Sequence, residues 1–312
     1  MRPVIGLLLA IVSLSAAADS TGFTIGALRR DGVVIPFAAY DGKHWSARWP
    51  APLKEPEVPI NLRSVPSRWW GPQGELDTWQ TWIDSRAGAP IHVLQPDVVE
   101  AHCVRQVGLR TDYRSAQPPA PPDVQPYPKD GLAISPTQSL EPIEIIEAAA
   151  PQLAGLAPVL REAFNREETS TAEHFHHPVD RKIRDAIAPE VEAVYAFGQA
   201  PRIYYVEAHR SYGMVETDGH WPFDNSPQCG MAYGTGWFAR DEKGFRALDV
   251  SVRIVPCDKY GATYMLPFGA MHLGTRTFWI AQFSGWDHER YVVVDISGRA
   301  IEAVVNAWGG GC

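Results

Sequence analysis

Two Asp-Gly pairs near the start of the chain constrain its fold more than any other feature. Asp31-Gly32 and Asp41-Gly42 separate the runs FTIGALRR, VVIPFAAY and KHWSARW. Asp-Gly tolerates the positive φ values of a tight hairpin turn, and between apolar runs it marks a β-hairpin. Residues 23–49 therefore read as a β-meander. The short strand candidates EVPINL, TWQTWI, PIHVLQP and HCVRQVGLR follow, punctuated by Pro and Gly. Together they predict a small antiparallel β module, barrel or sandwich, over residues 19–115.

Pro118, Pro119, Pro121, Pro122, Pro126 and Pro128 then break the pattern. Such a run favours extended polyproline structure, so residues 116–130 read as a semi-rigid linker. Residues 131–312 read as an α+β unit. GLAISP is a short strand. Two helical segments are expected, over 143–167 with Pro151 and Pro158 inside it, and over 179–197 with Pro189 inside it. RIYYVEAH, FRALDVSVRIV, TFWIAQFS, RYVVVDIS and AIEAVVNAW are rich in β-branched and aromatic residues and predict an antiparallel sheet. The expected fold class is α+β and β-rich, with the helices of the second unit preceding its sheet.

The first 18 residues have the three parts of a secretory signal. Arg2 is basic, PVIGLLLAIV is apolar and short, and Ala16-Ala17-Ala18 suits cleavage after Ala18. A bilayer span needs about 20 apolar residues, so neither this run nor any later one is read as transmembrane. The expected location is secreted or periplasmic. An even count of four cysteines in such a chain implies disulfides. Of the three connectivities that four cysteines allow, the expected one is Cys229–Cys257 and Cys103–Cys312. Gly309-Gly310-Gly311 forms a compliant leash for the second pair. The net charge of −8, with no basic run, argues against nucleic acid or an anionic membrane as partner.

No nucleophile elbow, zinc-protease helix or phosphate loop is present, and no family resemblance emerges. Three weaker constellations remain. His174 and His176 project to one face of an extended segment, as zinc or copper ligands do, with His209, Asp218, His220 or His272 as a third ligand. The loop HRSYGMVETDGHWPFD offers His209, Glu216, Asp218 and His220 for acid–base chemistry. Of 11 tryptophans, the adjacent Trp69 and Trp70 point to opposite faces of a strand, so one is the best exposed platform for a sugar ring. The sequence thus favours a non-catalytic binding or interaction protein of the cell envelope, with a glycan or protein ligand and no cofactor. The alternative is a secreted or periplasmic hydrolase, with or without metal, acting from its C-terminal domain.

Overall fold

A computed structural model describes residues 22–47, 61–67, 70, 76–174, 177–216, 227–285, 287–298 and 300–312. The expected signal lies outside the described residues. The first sheet contains β1 (Phe23–Arg29), β2 (Val33–Tyr40), β3 (Trp45–Ser46), β4 (Thr78–Ile83), β5 (Arg86–Ala101), β6 (Val104–Thr111) and β7 (Lys129–Ser135). Its order is β1-β7-β4-β5-β6-β2-β3, and the pairing of β1 with β2 closes six strands into a barrel. Gly32 and Gly42, at φ 84° and 98°, make the turns that the Asp-Gly pairs predicted. The EVPINL candidate gives no strand among the described residues, and its last residue opens a 3-10 turn over Leu62–Ser64.

All six barrel strands contribute to the interior, through Leu28, Val34, Trp79, Ile91, Val93, Leu109 and Ala133. The outer face of β1, β2 and β7 is equally apolar, with Ile25, Ala27, Ile35, Phe37, Leu132 and Ile134. A strand buried on both faces needs an unbroken apolar run, which is how β1 and β2 read. The proline-rich run lies along the barrel. Its Tyr127 is buried under the Arg29 guanidinium, 4.1 Å from the ring centre.

Two more antiparallel sheets complete the fold. One has the order β12-β11-β10-β9-β8, with β8 (Glu144–Ile145), β9 (Glu190–Ala196), β10 (Ile203–Val215), β11 (Gln228–Asp241) and β12 (Gly244–Pro256). The other runs β13-β14-β15-β16, with β13 (Tyr264–Leu273), β14 (Arg276–Ser284), β15 (His288–Asp295) and β16 (Glu302–Gly311). This four-stranded sheet is the middle layer. Phe278, Ile280, Tyr291 and Val293 face the barrel. Their neighbours Trp279, Ala281, Val292 and Val294 face Tyr205, Trp237 and Ala239 of the five-stranded sheet. The strict alternation between two apolar clusters follows from the two-residue period of a strand.

Helix α1 (Leu156–His174) covers the far side of the five-stranded sheet through Leu156, Leu160 and Phe164. Pro158 falls in its first turn, where a missing N–H costs nothing, so the helix is neither kinked nor split there. The helix expected over 179–197 is only partly present. Helix α2 (Arg181–Ala186) ends before Pro189, and Glu190–Ala196 is strand β9. Proline stops the helix, and the valines and Tyr195 that follow suit a pleated surface better.

A buried polar centre ties α1 to the sheet. Glu168 is fully buried and receives Arg210, Tyr212 and, at 2.9 Å, His177 Nε2. Removing one partner of such a centre costs about 3–5 kcal/mol, because a charge is left buried and unpaired. Disulfides join Cys103 to Cys312 and Cys229 to Cys257. The first bonds β16 to the barrel, and the second clamps β11 to the turn after β12. Among the described residues, no helix is long and apolar enough to cross a membrane.

Candidate ligand cleft

One face of the five-stranded sheet changes character along its strands. Near Tyr205 and Trp237 it is apolar and packs on the middle layer. Further along, the register sets polar side chains in rows across neighbouring strands. His209 lies opposite Glu190 on β9 and Tyr233 on β11, and Tyr233 lies opposite Arg253 on β12. In the next row Glu207, Thr235 and Ser251 face one another. Residues two apart on a strand share a face, so these rows form one polar surface.

The turn over 257–263 folds back over this surface. The Cys229–Cys257 bond anchors it, and Ala262 packs on Met231, Tyr233 and Val255. Lys259 reaches Glu192 at 2.6 Å, and Glu192 also lies 2.8 Å from His209 Nδ1. Glu207 sits beneath, 5% exposed, accepting hydrogen bonds from the Met265 N–H at 2.6 Å and the Tyr233 hydroxyl at 3.2 Å. Burial raises the Glu207 carboxyl above its usual range despite those bonds. Burial and the neighbouring Glu207 also hold the Tyr233 phenol well above its usual range.

Beside this surface, the β14–β15 connection supplies a hydrogen-bonded chain. His288 Nδ1 is 2.7 Å from Asp287 Oδ1, and His288 Nε2 is 3.3 Å from Thr263 Oγ1. The His288 bond holds the Asp287 carboxyl below its usual range. Gly285 makes room for the imidazole, since a Cβ there would lie 2.6 Å from His288 Cε1 and 2.9 Å from the Ala262 carbonyl oxygen.

Two clefts of about 230 Å³ each flank the chain. Tyr233, Thr235, Ser251, Arg253 and Thr263 line one. Arg253, Tyr260, Asp287, His288, Arg290 and Trp308 are among the residues lining the other. Arg253 borders both. The Arg290 guanidinium lies 5.1 Å from the Trp308 ring centre, within cation–π range. Among the described residues, neither arginine has a carboxylate partner within ion-pair distance. A larger open cavity, about 1020 Å³, lies at the far end of the sheet among Glu141, Glu144, Arg202, Arg240, Asp241 and Lys243. Its charges are mixed in sign and select no ligand class.

The residues expected from sequence fall in several places. His209 is part of the polar surface. Glu216 is exposed just after β10, and Asp218 and His220 lie outside the described residues. His174 is exposed at the end of α1, with Nδ1 2.9 Å from the Ser170 carbonyl oxygen, and His176 lies outside the described residues. His272 is paired with Glu141 at 3.6 Å, away from His174. Among the described residues, no group of three or more His, Cys, Asp and Glu side chains is arranged to hold a metal. Trp69 lies outside the described residues. The Trp70 indole turns inward, donating to the Val65 carbonyl at 3.3 Å and packing on the barrel interior. Sequence reasoning missed Glu192, Glu207, Tyr233, Arg253, Thr263, Asp287, His288 and Trp308. The adjacent Asp287-His288 pair and the lone acid in IYYVEAH were the available signals. No protein-family model, curated protein or solved structure matches the chain.

Proposed function

We propose that this chain is an exported binding protein of the cell envelope whose ligand is a carboxylate-bearing glycan, held across the clefts beside Thr263 and His288. The observation that carries this reading is the pair Arg253 and Arg290. In a chain of net charge −8, two guanidinium groups that have no carboxylate partner among the described residues border one cleft. A guanidinium matches a carboxylate with two parallel hydrogen bonds. Trp308 and Tyr260 add aromatic surface for the apolar faces of sugar rings, and Thr235 and Ser251 add hydroxyl partners. The two disulfides and the N-terminal sequence support an oxidising compartment.

Titration calorimetry with polygalacturonate and with neutral dextran tests it. Polygalacturonate is expected to bind and to weaken with salt, while dextran does not bind. Arg253→Ala is expected to lose about tenfold in affinity, equivalent to about 1.4 kcal/mol. Equal binding of both polymers, or of neither, defeats the proposal. The hydrolase alternative is favoured by one observation, the hydrogen-bonded chain from Asp287 to Thr263.

A further inference from the structure

That chain has the parts of an activated hydroxyl. The geometry points to Thr263 as an acyl-accepting nucleophile, with His288 as its base and Asp287 orienting the imidazole. The substrate class is then an O-acyl ester of the bound glycan. The inference rests on the glycan reading for the identity of the leaving group, and on nothing else in it.

Each part has a stated place. Asp287 Oδ1 lies 2.7 Å from His288 Nδ1, which fixes the proton there and leaves Nε2 free to accept. Nε2 is 3.3 Å from Thr263 Oγ1. That is slightly longer than a working hydrogen bond, as is common before substrate binds. Thr263 borders the cleft of about 230 Å³, space for a short acyl group beside a sugar hydroxyl. Arg253 borders the same cleft, so a fixed positive charge lies beside the space where a negatively charged tetrahedral centre would form. His288 is part-buried, which limits competition from water for its ring nitrogens.

The bond changes balance without a further reagent except water. Thr263 Oγ attacks the ester carbonyl carbon, and its proton passes to His288 Nε2. The tetrahedral centre collapses, the acyl C–O bond to the sugar breaks, and the His288 proton goes to the departing sugar oxygen. The acyl group is now esterified to Thr263. A water molecule then gives a proton to His288 and adds to the same carbonyl. The carboxylic acid leaves as the proton returns to Thr263 Oγ.

The competing account is that the Thr263 hydroxyl only ties the 257–263 turn to the β14–β15 connection. Acyl transfer separates the two. The full disulfide-bonded chain is mixed with p-nitrophenyl acetate, and the product is read by absorbance and by peptide mass spectrometry. The expected result is an initial burst, with the acetyl group on Thr263. Thr263→Val and His288→Ala, each checked for wild-type circular dichroism, are expected to lose the burst and the label. Thr263→Ser is expected to keep both. Asp287→Asn is expected to slow the burst about a hundredfold. Absence of acetyl on Thr263 in the wild-type chain, or equal bursts from wild type and Thr263→Val, overturns the inference. Chemically acetylated polygalacturonate is the second probe. Acetate release by the wild type but not by Thr263→Val supports the substrate class. No release overturns that class. Calorimetry of the wild type with unacetylated polygalacturonate separates the failures: wild-type binding with no acyl transfer by the wild type removes the catalytic inference alone, and acyl transfer to Thr263 with no binding removes the glycan reading alone.

Discussion

Glu168 and Glu289 are both fully buried carboxylates at junctions between layers, but different cations answer them. Glu168, between α1 and the five-stranded sheet, is held by Arg210, with His177 and Tyr212 alongside. Glu289, between the middle sheet and the barrel, is held by Lys129 Nζ at 2.6 Å and the Tyr291 hydroxyl at 2.6 Å. His102 Nε2 stands 4.0 Å away, buried and without a hydrogen-bond partner among the described residues. A guanidinium stays charged at every accessible pH. An ammonium or imidazole loses its charge when burial makes the charge costly. Burial lowers the affinity of both Lys129 and His102 for their protons, although Glu289 pulls the other way. The Arg210–Glu168 pair is therefore fixed, while the Lys129–Glu289 pair responds to protons.

Single substitutions break this comparison most directly. Arg210→Met leaves Glu168 buried beside His177 and Tyr212 alone and is expected to cost about 4 kcal/mol in urea unfolding. Lys129→Met is expected to cost less, about 2–3 kcal/mol, because burial already works against the charge on Lys129, whereas Arg210 keeps its charge whatever its surroundings. Equal losses would show that the identity of the cation is unimportant.

The barrel junction also has a covalent tie that the helix junction lacks. Cys103 and Cys312 are 209 residues apart, against 28 for Cys229 and Cys257. Replacing both Cys103 and Cys312 by serine is expected to cost about 3 kcal/mol, through the wider freedom of the unfolded chain. The Cys229–Cys257 bond closes a shorter loop, so the same change there is expected to cost less. Denaturant midpoints of the two double variants test that order.

The smallest effect is the pH response. The affinity of His102 for its proton is lowered from the ordinary imidazole value of 6.5, so in the window just below 6.5 the unfolded chain binds the proton and the folded chain does not. Stability is then lost as pH falls from 6.5 towards the folded value, and is flat above. Glu207 has the opposite sign, because its raised carboxyl contributes stability present below 4.5 and lost as pH rises through its folded value. Against the wild type, His102→Gln is expected to flatten the fall in thermal midpoint between pH 6.5 and 5. A wild-type slope unchanged in His102→Gln would remove His102 from the account.

Part of the strand content was legible in the sequence because local chemistry decided it. The Asp-Gly turns framed β1 and β2, and the β-branched and aromatic residues of β14 and β15 marked both as strands. Strands β11 and β13 were harder. Gly230, Gly234 and Gly236 dilute β11, although Gly234 is small because Phe164 of α1 rests on it; a Cβ there would lie 2.5 Å from the ring. Pro267 interrupts β13, where the register also shifts. The β-rich character and the disulfides followed from composition and cysteine count, but the division of helix from strand after Pro189 did not. The cleft was least legible. Its residues come from β9 to β12, the 257–263 turn, the β14–β15 connection, β15 and β16. Only the pairing register brings Glu190, His209, Tyr233 and Arg253 into line, and register depends on the whole sheet.

The double-sided middle sheet carries a consequence for assembly. Its four strands come last in chain order, yet the barrel and the five-stranded sheet each need one of its faces to cover their own. Until residues 264–311 pair, both earlier layers expose an apolar wall to water and to other chains. Burial of both earlier layers therefore waits for the C-terminal strands, through contacts between residues far apart in sequence, and such topologies form slowly. The interval before the last hairpins arrive is when the chain is most exposed to aggregation, and when a protecting partner would have most to offer.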